Sequence, residues 1–201
     1  YIVDAVRTAG GRRNGKLAGW HPVDLAAATL DTLVARTGMD GAKIDDVIMG
    51  CVTQAGQQAM QVGRNAVLAA KNIPDSVPAV TIDRQCGSSQ QAMQFAAQAV
   101  MSGTMDVVIA SGVESMTRVP MGSNAMFHMK EGLGHYKSPR LDEKYPGIMF
   151  SQFMGAEMIV KKHGFSKDDL DQFALKSHHN AIAATKAGLF NDELVVLDVE
   201  T

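Results

Sequence analysis

The chain has 201 residues, enough for one sizeable hydrophobic core and an accessory region. Its 46% hydrophobic and 20% charged residues are typical of a globular domain, and a net charge of −2 gives no general attraction to nucleic acid or anionic membranes. We expect no nucleic-acid partner, because 5% aromatic residues are too few for a base-stacking surface. We also expect no membrane span, because no apolar run approaches the roughly 20 residues of a spanning helix.

The N-terminal segment YIVDAVRT has the pattern of a strand that is already under way, which indicates that a few native residues precede it. It lacks the charged start and apolar centre of a secretion signal. Cys51 and Cys86 are too few for a secreted disulfide scaffold, so we expect a reducing compartment and a cytoplasmic protein.

Extended and helical patterns alternate along the first half of the chain. Apolar, β-branched runs predict strands, and apolar residues at helical spacing predict helices between them. The predicted strands are YIVDAVRT, DDVIMGCVTQ, AVTID and MDVVIASG, and the predicted helices are HPVDLAAATLDTLVARTG, VGRNAVLAAK and SSQQAMQFAAQAVMSG. This alternation predicts an α/β fold in which helices cover both faces of a sheet.

The alternation stops after Glu114. Residues 117–150 are rich in Met, Gly, Pro, His and Lys without a period, which is typical either of disorder or of a functional lid or binding loop. SQFMGAEMIVKKHG then predicts a helix, and FSKDDLDQFALKSHHNAIAATKAG predicts another with Ser166 as N-cap. A buried stripe on that second helix is predicted at Leu170, Phe173, Ala174, Ser177, Ala181 and Ala184. ELVVLDVET predicts a final strand, and a chain ending inside a strand indicates a fragment of a longer protein.

These patterns divide the chain into three regions. We expect residues 1–116 to form a core, residues 117–165 to form a loop region, and residues 166–201 to return to the core through a long helix and a final strand.

Cys86 lies in AVTIDRQCGSSQQA, where a predicted strand gives way to a predicted helix. A helix that starts near Gly87 or Ser88 places the sulfur at the positive end of the helix dipole, which favours a thiolate and should lower the thiol pKa. Gly87 leaves space beside the sulfur, and the backbone N–H of Cys86 can face a developing oxyanion. A small core hydrophobe is the alternative interpretation, and it suits Cys51 in its apolar strand better than Cys86.

Several segments of the chain resemble, in order and spacing, the thiolases, the acyl-CoA acetyltransferase family. They are VDAVRTAGGRRNGKLAG, GCVTQ, GRNAVLAAKNIPDSVPAVTIDRQCGS, GVESMTRVP and SKDDLDQFALKSHHNAIAATKAGLFNDELVVL. The resemblance implies a layered α/β/α fold with a mostly parallel five-stranded sheet, its fifth strand antiparallel, and a loop-domain excursion. It also implies that Cys86 is the acyl-accepting nucleophile and supplies an oxyanion N–H.

The resemblance further implies acyl-CoA and coenzyme A as substrates, no permanently bound cofactor, and a homodimer or homotetramer. We expect no metal site, because the sequence has no clustered carboxylates or other ligand spacing for one. Residues 117–165 would be part of the loop region that binds coenzyme A, where Lys130, Lys137, Arg140 and Lys144 are candidates for its phosphates, although a solvated loop surface is the commoner meaning of such charges.

Two departures from the family pattern concern acyl-chain preference. Gln90 and Gln91 resemble a subgroup of bacterial thiolases, some of which act on bulky side chains such as those of steroids. Ser151, Gln152 and Phe153 stand where many thiolases have His-Met-Gly on the pantetheine and acyl path, so Gln152 is a candidate substrate-binding residue.

The family's other catalytic groups, in Asn-Glu-Ala-Phe, Gly-His-Pro and Cys-x-Gly segments, do not occur in these 201 residues. The resemblance therefore implies the N-terminal half of a thiolase, without its C-terminal domain. Two alternatives stay open: a non-catalytic acyl-CoA- or lipid-binding protein on this scaffold, and a ketoacyl synthase-like condensing enzyme. A chain that continues into those segments would favour catalysis.

Overall fold

A computed structural model describes residues 1–199 of the chain. It divides into two compact units, one formed by Tyr1–Gly134 together with the segment from Glu193 onward, and the other by His135–Asp192. The first unit contains the sheet and most of the buried apolar side chains, and the second is helical.

The first unit contains three strands, four α-helices and three short 3-10 helices in the described part of the chain. The strands are β1 (Asp46–Gly50), β2 (Ala79–Ile82) and β3 (Val108–Gly112), and the helices are α1 (Pro22–Thr37), α2 (Val62–Ala69), α3 (Ser88–Met101) and α4 (Ser123–Lys130). All strands are parallel in the order β2-β1-β3, with Ile48 opposite Val80 and Ala110. Strands β1, β2 and β3 and helices α1, α2 and α3 match predicted elements, whereas α4 lies in the segment 117–150, where no helix was predicted.

The side chains of β1 alternate between two apolar layers. Val47 and Met49 pack with the buried faces of α1 and α2, whereas Ile48 packs against Ala92 and Ala96 of α3. Because successive residues of a strand point to opposite faces, one strand joins both layers. The predicted α/β/α layering is therefore confirmed.

Helix α1 shows how the sequence sets these layers. Ala26, Leu30 and Val34 are buried at helical spacing, and Gly38 ends the helix in the left-handed conformation with φ of 66°. Glycine adopts this conformation without the steric cost of a side chain, so it stops the helix cleanly.

The described part of the chain has three strands, not five. The first and last predicted strands contribute one parallel bridge between Arg7 and Leu194, so the antiparallel fifth strand is not formed there. Ile2 and Val3 are 79% and 82% exposed, so their apolar side chains have no layer to cover them. A strand without a buried face gains little from pairing, which explains why the ladder does not extend. The end of the last predicted strand, Glu200 and Thr201, lies outside the described residues.

The second unit contains α5 (Pro139–Lys144), α6 (Gln152–His163) and α7 (Lys167–Lys186). Helices α6 and α7 match the two helices predicted there, and Ser166 is the N-cap of α7, with its hydroxyl and the Asp169 carboxylate forming a capping box. The predicted buried stripe of α7 is wrong, because none of the residues of this helix is buried and Phe173 is 78% exposed. The apolar spacing is present, but no apolar surface covers it.

Candidate active site

Parallel strands place their carboxyl ends at one edge of the sheet. Cys51 follows β1 directly, Val113 and Glu114 follow β3, and the segment from Asp83 to Cys86 follows β2. This edge therefore brings together both cysteines and two carboxylates. Loops at the carboxyl edge of a parallel sheet are the usual position of a ligand site in open α/β folds.

Cys86 is exposed and stands two residues before the first residue of α3. Gly87 is the N-cap, and the first backbone hydrogen bond of the helix runs from the N–H of Gln91 to the carbonyl oxygen of Gly87 at 2.8 Å. The predicted position of Cys86 at the start of a helix is confirmed.

The turn that carries Cys86 is closed by several short hydrogen bonds. The N–H groups of Gly87 and Ser88 donate to the carbonyl oxygens of Arg84 and Gln85 at 3.1 and 3.0 Å. Gln85 has φ of 48°, in the left-handed region that side chains other than glycine rarely adopt. The residue immediately before Cys86 is thus held in an unusual conformation.

Two glycines let the start of α3 approach the strand ends. A Cβ atom on Gly50 would lie 2.5 Å from the carbonyl carbon of Ser88, and one on Gly112 would lie 3.0 Å from the Cβ of Ser89. The first contact, with backbone, is closer than Cβ atoms come, and the second would force the Ser89 side chain to shift, so both glycines favour the close approach of helix and sheet. They allow the start of α3, and with it the turn that carries Cys86, to lie close to the ends of β1 and β3.

Cys51 has a different environment at the same edge. Its side chain is 1% exposed, and its Sγ atom lies 3.9 Å from Oε2 of Glu114. Burial, followed by the negative charges of Glu114 and Asp83, raises the pKa of the Cys51 thiol to about 12. A thiol that stays protonated at neutral pH is a poor nucleophile, so Cys51 is a structural residue, in agreement with its predicted place in the core.

A buried polar network surrounds Glu114. Its carboxylate accepts hydrogen bonds from the N–H of Val52 at 2.8 Å and from Nε2 of Gln58 at 2.9 Å. Gln58 is fully buried, and it also donates to the carbonyl oxygen of Thr53 and accepts from the N–H of Ser115 at 2.7 Å. This network joins the loop after β1 to the loop after β3.

Sequence reasoning did not find the Glu114 and Gln58 network. The hydrogen bonds that join its two loops connect residues 56 to 62 positions apart along the chain, so no local spacing indicates them. The signal available was Glu114 itself, a carboxylate two residues after the end of an apolar strand.

The other predicted binding residues lie mainly in the second unit. Gln152 is exposed and is the first residue of α6. Lys137 forms an ion pair with Asp142 at 2.6 Å and donates to the carbonyl oxygen of Ile148, so its ammonium group is already engaged. Lys144 lies 5.4 Å from the ring centre of Tyr145, and Arg140 is exposed.

Lys130, by contrast, is the last residue of α4 in the first unit. The candidate phosphate ligands are thus divided between the two units.

A cavity of about 890 Å³ lies within the first unit, away from the Cys86 turn. It is lined by residues 9–17 and by residues of the segment 194–199. Across residues 1–199, no group of three or more His, Cys, Asp or Glu side chains is arranged to hold a metal ion. Within the same range, none of the helices is long and apolar enough to cross a membrane.

The fold and the cysteine at the start of α3 define a layered α/β domain with a candidate nucleophile at its carboxyl edge. The family model "Thiolase, N-terminal domain" matches residues 1–201. The chain therefore belongs to the thiolase family and corresponds to its N-terminal domain.

Named relatives agree with this assignment. The chain is 45% identical to the steroid 3-ketoacyl-CoA thiolase FadA6 of Mycobacterium tuberculosis, over 100% of this chain and 50% of the relative. It is 38% identical to a 3-ketoacyl-CoA thiolase of Bacillus subtilis, over 98% of this chain and 48% of the relative. It is 42% identical to a 3-ketoacyl-CoA thiolase of Yersinia pestis, over 96% of this chain and 48% of the relative. The chain thus spans about half the length of these relatives.

Proposed function

We propose that this chain is the nucleophile-bearing half of an acyl-CoA thiolase, in which Cys86 accepts an acyl group as a thioester. The observation that carries the proposal is the exposed Cys86 thiol at the start of α3, in a chain that belongs to the thiolase family. The buried Cys51, with its pKa of about 12, is excluded from this role.

In the degradative direction, the Cys86 thiolate attacks the 3-keto carbon of a 3-ketoacyl-CoA. A sulfur–carbon bond forms, the bond between C2 and C3 breaks, and its electron pair leaves as the carbanion of acetyl-CoA, which takes up a proton. The thiolate of coenzyme A then attacks the new thioester, forms acyl-CoA and releases Cys86. Dividing the transfer into two covalent steps lowers each barrier.

In the condensing direction, the thiolate attacks acetyl-CoA, and the acetyl group passes to a second acetyl-CoA carbanion. The oxygen of the tetrahedral intermediate needs hydrogen-bond donors in both directions. We assign one of them to the backbone N–H of Cys86. The histidine that activates the sulfur and the cysteine that carries the α-proton belong, by family resemblance, to segments that this chain does not contain.

The substrate class we propose is a 3-ketoacyl-CoA with a bulky acyl group. Two observations support it: Gln90 and Gln91 follow the Cys86 turn, and one relative at 45% identity carries the name of a steroid thiolase. Gln152 at the start of α6 is our candidate for contact with the acyl or pantetheine chain. Coenzyme A is a substrate in this proposal and not a resident cofactor.

The same proposal places the protein in fatty acid or lipid metabolism, in the cytoplasm, as a homodimer or homotetramer. The names of the relatives support the first point, because each is a 3-ketoacyl-CoA thiolase.

The decisive experiment is intact-mass spectrometry of the protein encoded by the native gene after incubation with acetyl-, octanoyl- and steroid-acyl-CoA. We expect one acyl group per chain, on the peptide that contains Cys86, with the largest occupancy for the preferred acyl group. A protein that binds these compounds without gaining acyl mass would be a non-catalytic acyl-CoA carrier, and the proposal would be wrong.

A further inference from the structure

The Ser88 side chain lies in the turn that carries Cys86, and the proposed acyl transfer gives it no role. Ser88 is the first residue of α3 and is 4% exposed. Its hydroxyl donates to the carbonyl oxygen of Gln85 at 2.6 Å and accepts from the N–H of Arg84 at 3.0 Å. The hydroxyl therefore ties together the two residues that precede Cys86.

Asp83 holds the same turn from its other side. Its Oδ1 atom accepts from the N–H of Gln85 at 2.6 Å, and its Oδ2 atom lies 3.3 Å from Nε2 of Gln85. Both the backbone and the side chain of Gln85 are thus fixed by one carboxylate. This matters because Gln85 has φ of 48°, a strained conformation for a residue with a side chain, which persists only where the surroundings enforce it.

The helix does not need this hydroxyl for its own start. The N-cap of α3 is Gly87, which has no side chain to cap the helix, and the Ser88 hydroxyl is directed to the turn and not to the first helical N–H groups. A buried hydroxyl with two hydrogen bonds to one strained turn acts on the conformation of that turn. The residue that the turn presents is Cys86.

We propose that Ser88 and Asp83 are positioning residues, which hold Gln85 in its left-handed conformation and so fix the direction from which Cys86 meets the acyl carbonyl. This inference rests on the proposed function, since it assumes that Cys86 is the attacking group. Neither side chain is assigned contact with the substrate, so their loss should act on the chemical step more than on binding.

The test compares the unmodified protein with three variants at serine positions: Ser88→Ala, Ser88→Thr and Ser102→Ala. Ser102 is the matched control, because its hydroxyl also donates to a carbonyl oxygen three residues earlier, that of Ala99 at 2.9 Å, at the far end of α3. We expect Ser88→Ala to lower kcat of thiolysis by about ten- to a hundredfold with KM for the acyl-CoA changed less than about threefold. Ser88→Thr keeps the hydroxyl and should restore most of kcat, and Ser102→Ala should match the unmodified protein.

Asp83 provides a second, exposed position that can be changed without opening the core. Asp83→Ala removes the acceptor, whereas Asp83→Asn keeps an acceptor oxygen and removes the charge. Asp40→Ala is its control. Asp40 precedes β1, and its Oδ1 atom accepts a hydrogen bond from the N–H of Ala42, two residues later, at 3.0 Å. We expect kcat to fall about tenfold in Asp83→Ala and to stay within about threefold of normal in Asp83→Asn.

Alkylation of Cys86 by iodoacetamide gives a readout that does not depend on acyl chemistry. We expect Ser88→Ala to slow the labelling of Cys86 about fivefold and Ser102→Ala to leave it unchanged. The labelling rate still reports whether Ser88 positions Cys86 if the unmodified protein gains no acyl mass. That outcome would reject the proposed function and leave the role of Ser88 to be decided by labelling.

Equal kcat values and equal labelling rates in folded Ser88→Ala and unmodified protein would overturn the inference. An Asp83→Asn protein as slow as Asp83→Ala would also overturn it, because charge and not geometry would then be responsible. If Ser88→Ala does not fold, the Asp83 series decides.

Discussion

Cys51 and Cys86 lie at the same edge of one parallel sheet, yet their surroundings give them opposite chemistry. The N–H of Cys51 still donates to the strand ladder, at 3.0 Å from the carbonyl oxygen of Ile82, and its sulfur is enclosed beside Glu114. Cys86 has left the ladder, is exposed and stands at the start of a helix. A shift of a few residues past a strand end thus separates a core thiol from a candidate nucleophile.

The largest effect we expect comes from Cys86→Ala. Removal of the sulfur that we propose as the acyl acceptor should lower the rate of thiolysis by at least about a thousandfold. The measurement is the consumption of a 3-ketoacyl-CoA by the intact protein in the presence of coenzyme A. Cys51→Ala is the matched control and should keep most of the rate per folded molecule. A large loss in Cys51→Ala with little loss in Cys86→Ala would mean that Cys51 is the nucleophile.

Chemical labelling compares the two thiols within one molecule. At neutral pH, iodoacetamide should modify Cys86 on the order of a hundred times faster than Cys51, because Cys51 is buried and its pKa is raised to about 12. The rates are read from the two cysteine peptides by mass spectrometry. In denaturant the two labelling rates should converge. Equal labelling rates of Cys86 and Cys51 in the folded protein would show that the two thiols do not differ in reactivity.

The surroundings of Cys51 should matter more for stability than for chemistry. Gln58→Ala should lower the free energy of unfolding by about 2 kcal/mol, because it leaves buried partners such as the N–H of Ser115 without a hydrogen bond. Gln57→Ala is the control: this neighbouring side chain is exposed, and water can replace the hydrogen bond that it accepts from Nε of Arg118 at 2.6 Å, so the loss should be about 1 kcal/mol or less. Urea unfolding of both variants measures the difference, and equal losses would mean that the buried network adds no stability.

The last comparison is the pH dependence that Cys51 gives to stability. Its pKa rises from 9.0 to about 12 on folding, so the unfolded chain ionises this thiol before the folded chain does. The resulting stabilisation is complete below about pH 9 and is lost as the pH rises from there towards 12. The Cys51→Ala variant should therefore lose less stability than the unmodified protein between about pH 8 and pH 11.

Ser102→Ala, which removes no thiol, is the control for the alkaline measurement and should show the same alkaline loss as the unmodified protein. A Cys51→Ala protein with an unchanged alkaline slope would contradict the account of the Cys51 environment.

The sequence predicts the elements of the first unit well because their signals are local. The apolar spacing of α1, the glycine at its end and the strand-to-helix change at Cys86 are all read within a few residues. The same local reading places Cys86 at the start of α3 and Cys51 in the core. Patterns of period and capping are sufficient where one face of an element is buried against its neighbours.

The errors arise where burial depends on distant parts of the chain. The alternating residues of the N-terminal segment predict a strand, but Ile2 and Val3 are exposed and form no ladder. The spacing of α7 predicts a buried stripe, but Phe173 is exposed. An apolar period shows that a face can be buried, and it does not show which surface covers it.

The conformation of the turn before Cys86 and the hydrogen bonds of Glu114 could not be predicted from the sequence for a related reason. The left-handed conformation of Gln85 carries no sequence signal, since glycine and asparagine are the residues that normally indicate it. Glu114 and Gln58 meet only after β1 and β3 have paired in register. Contacts of this kind depend on the tertiary fold.

The most direct test of the central claim is substrate protection of the two cysteines. The intact protein is incubated with acetyl-CoA and then treated with iodoacetamide, and both cysteine peptides are quantified. We expect acetyl-CoA to block labelling of Cys86 and leave Cys51 unchanged, and excess free coenzyme A to restore the labelling by removing the acetyl group. Labelling of Cys86 at an undiminished rate in saturating acetyl-CoA would contradict the assignment of Cys86 as the acyl-accepting nucleophile.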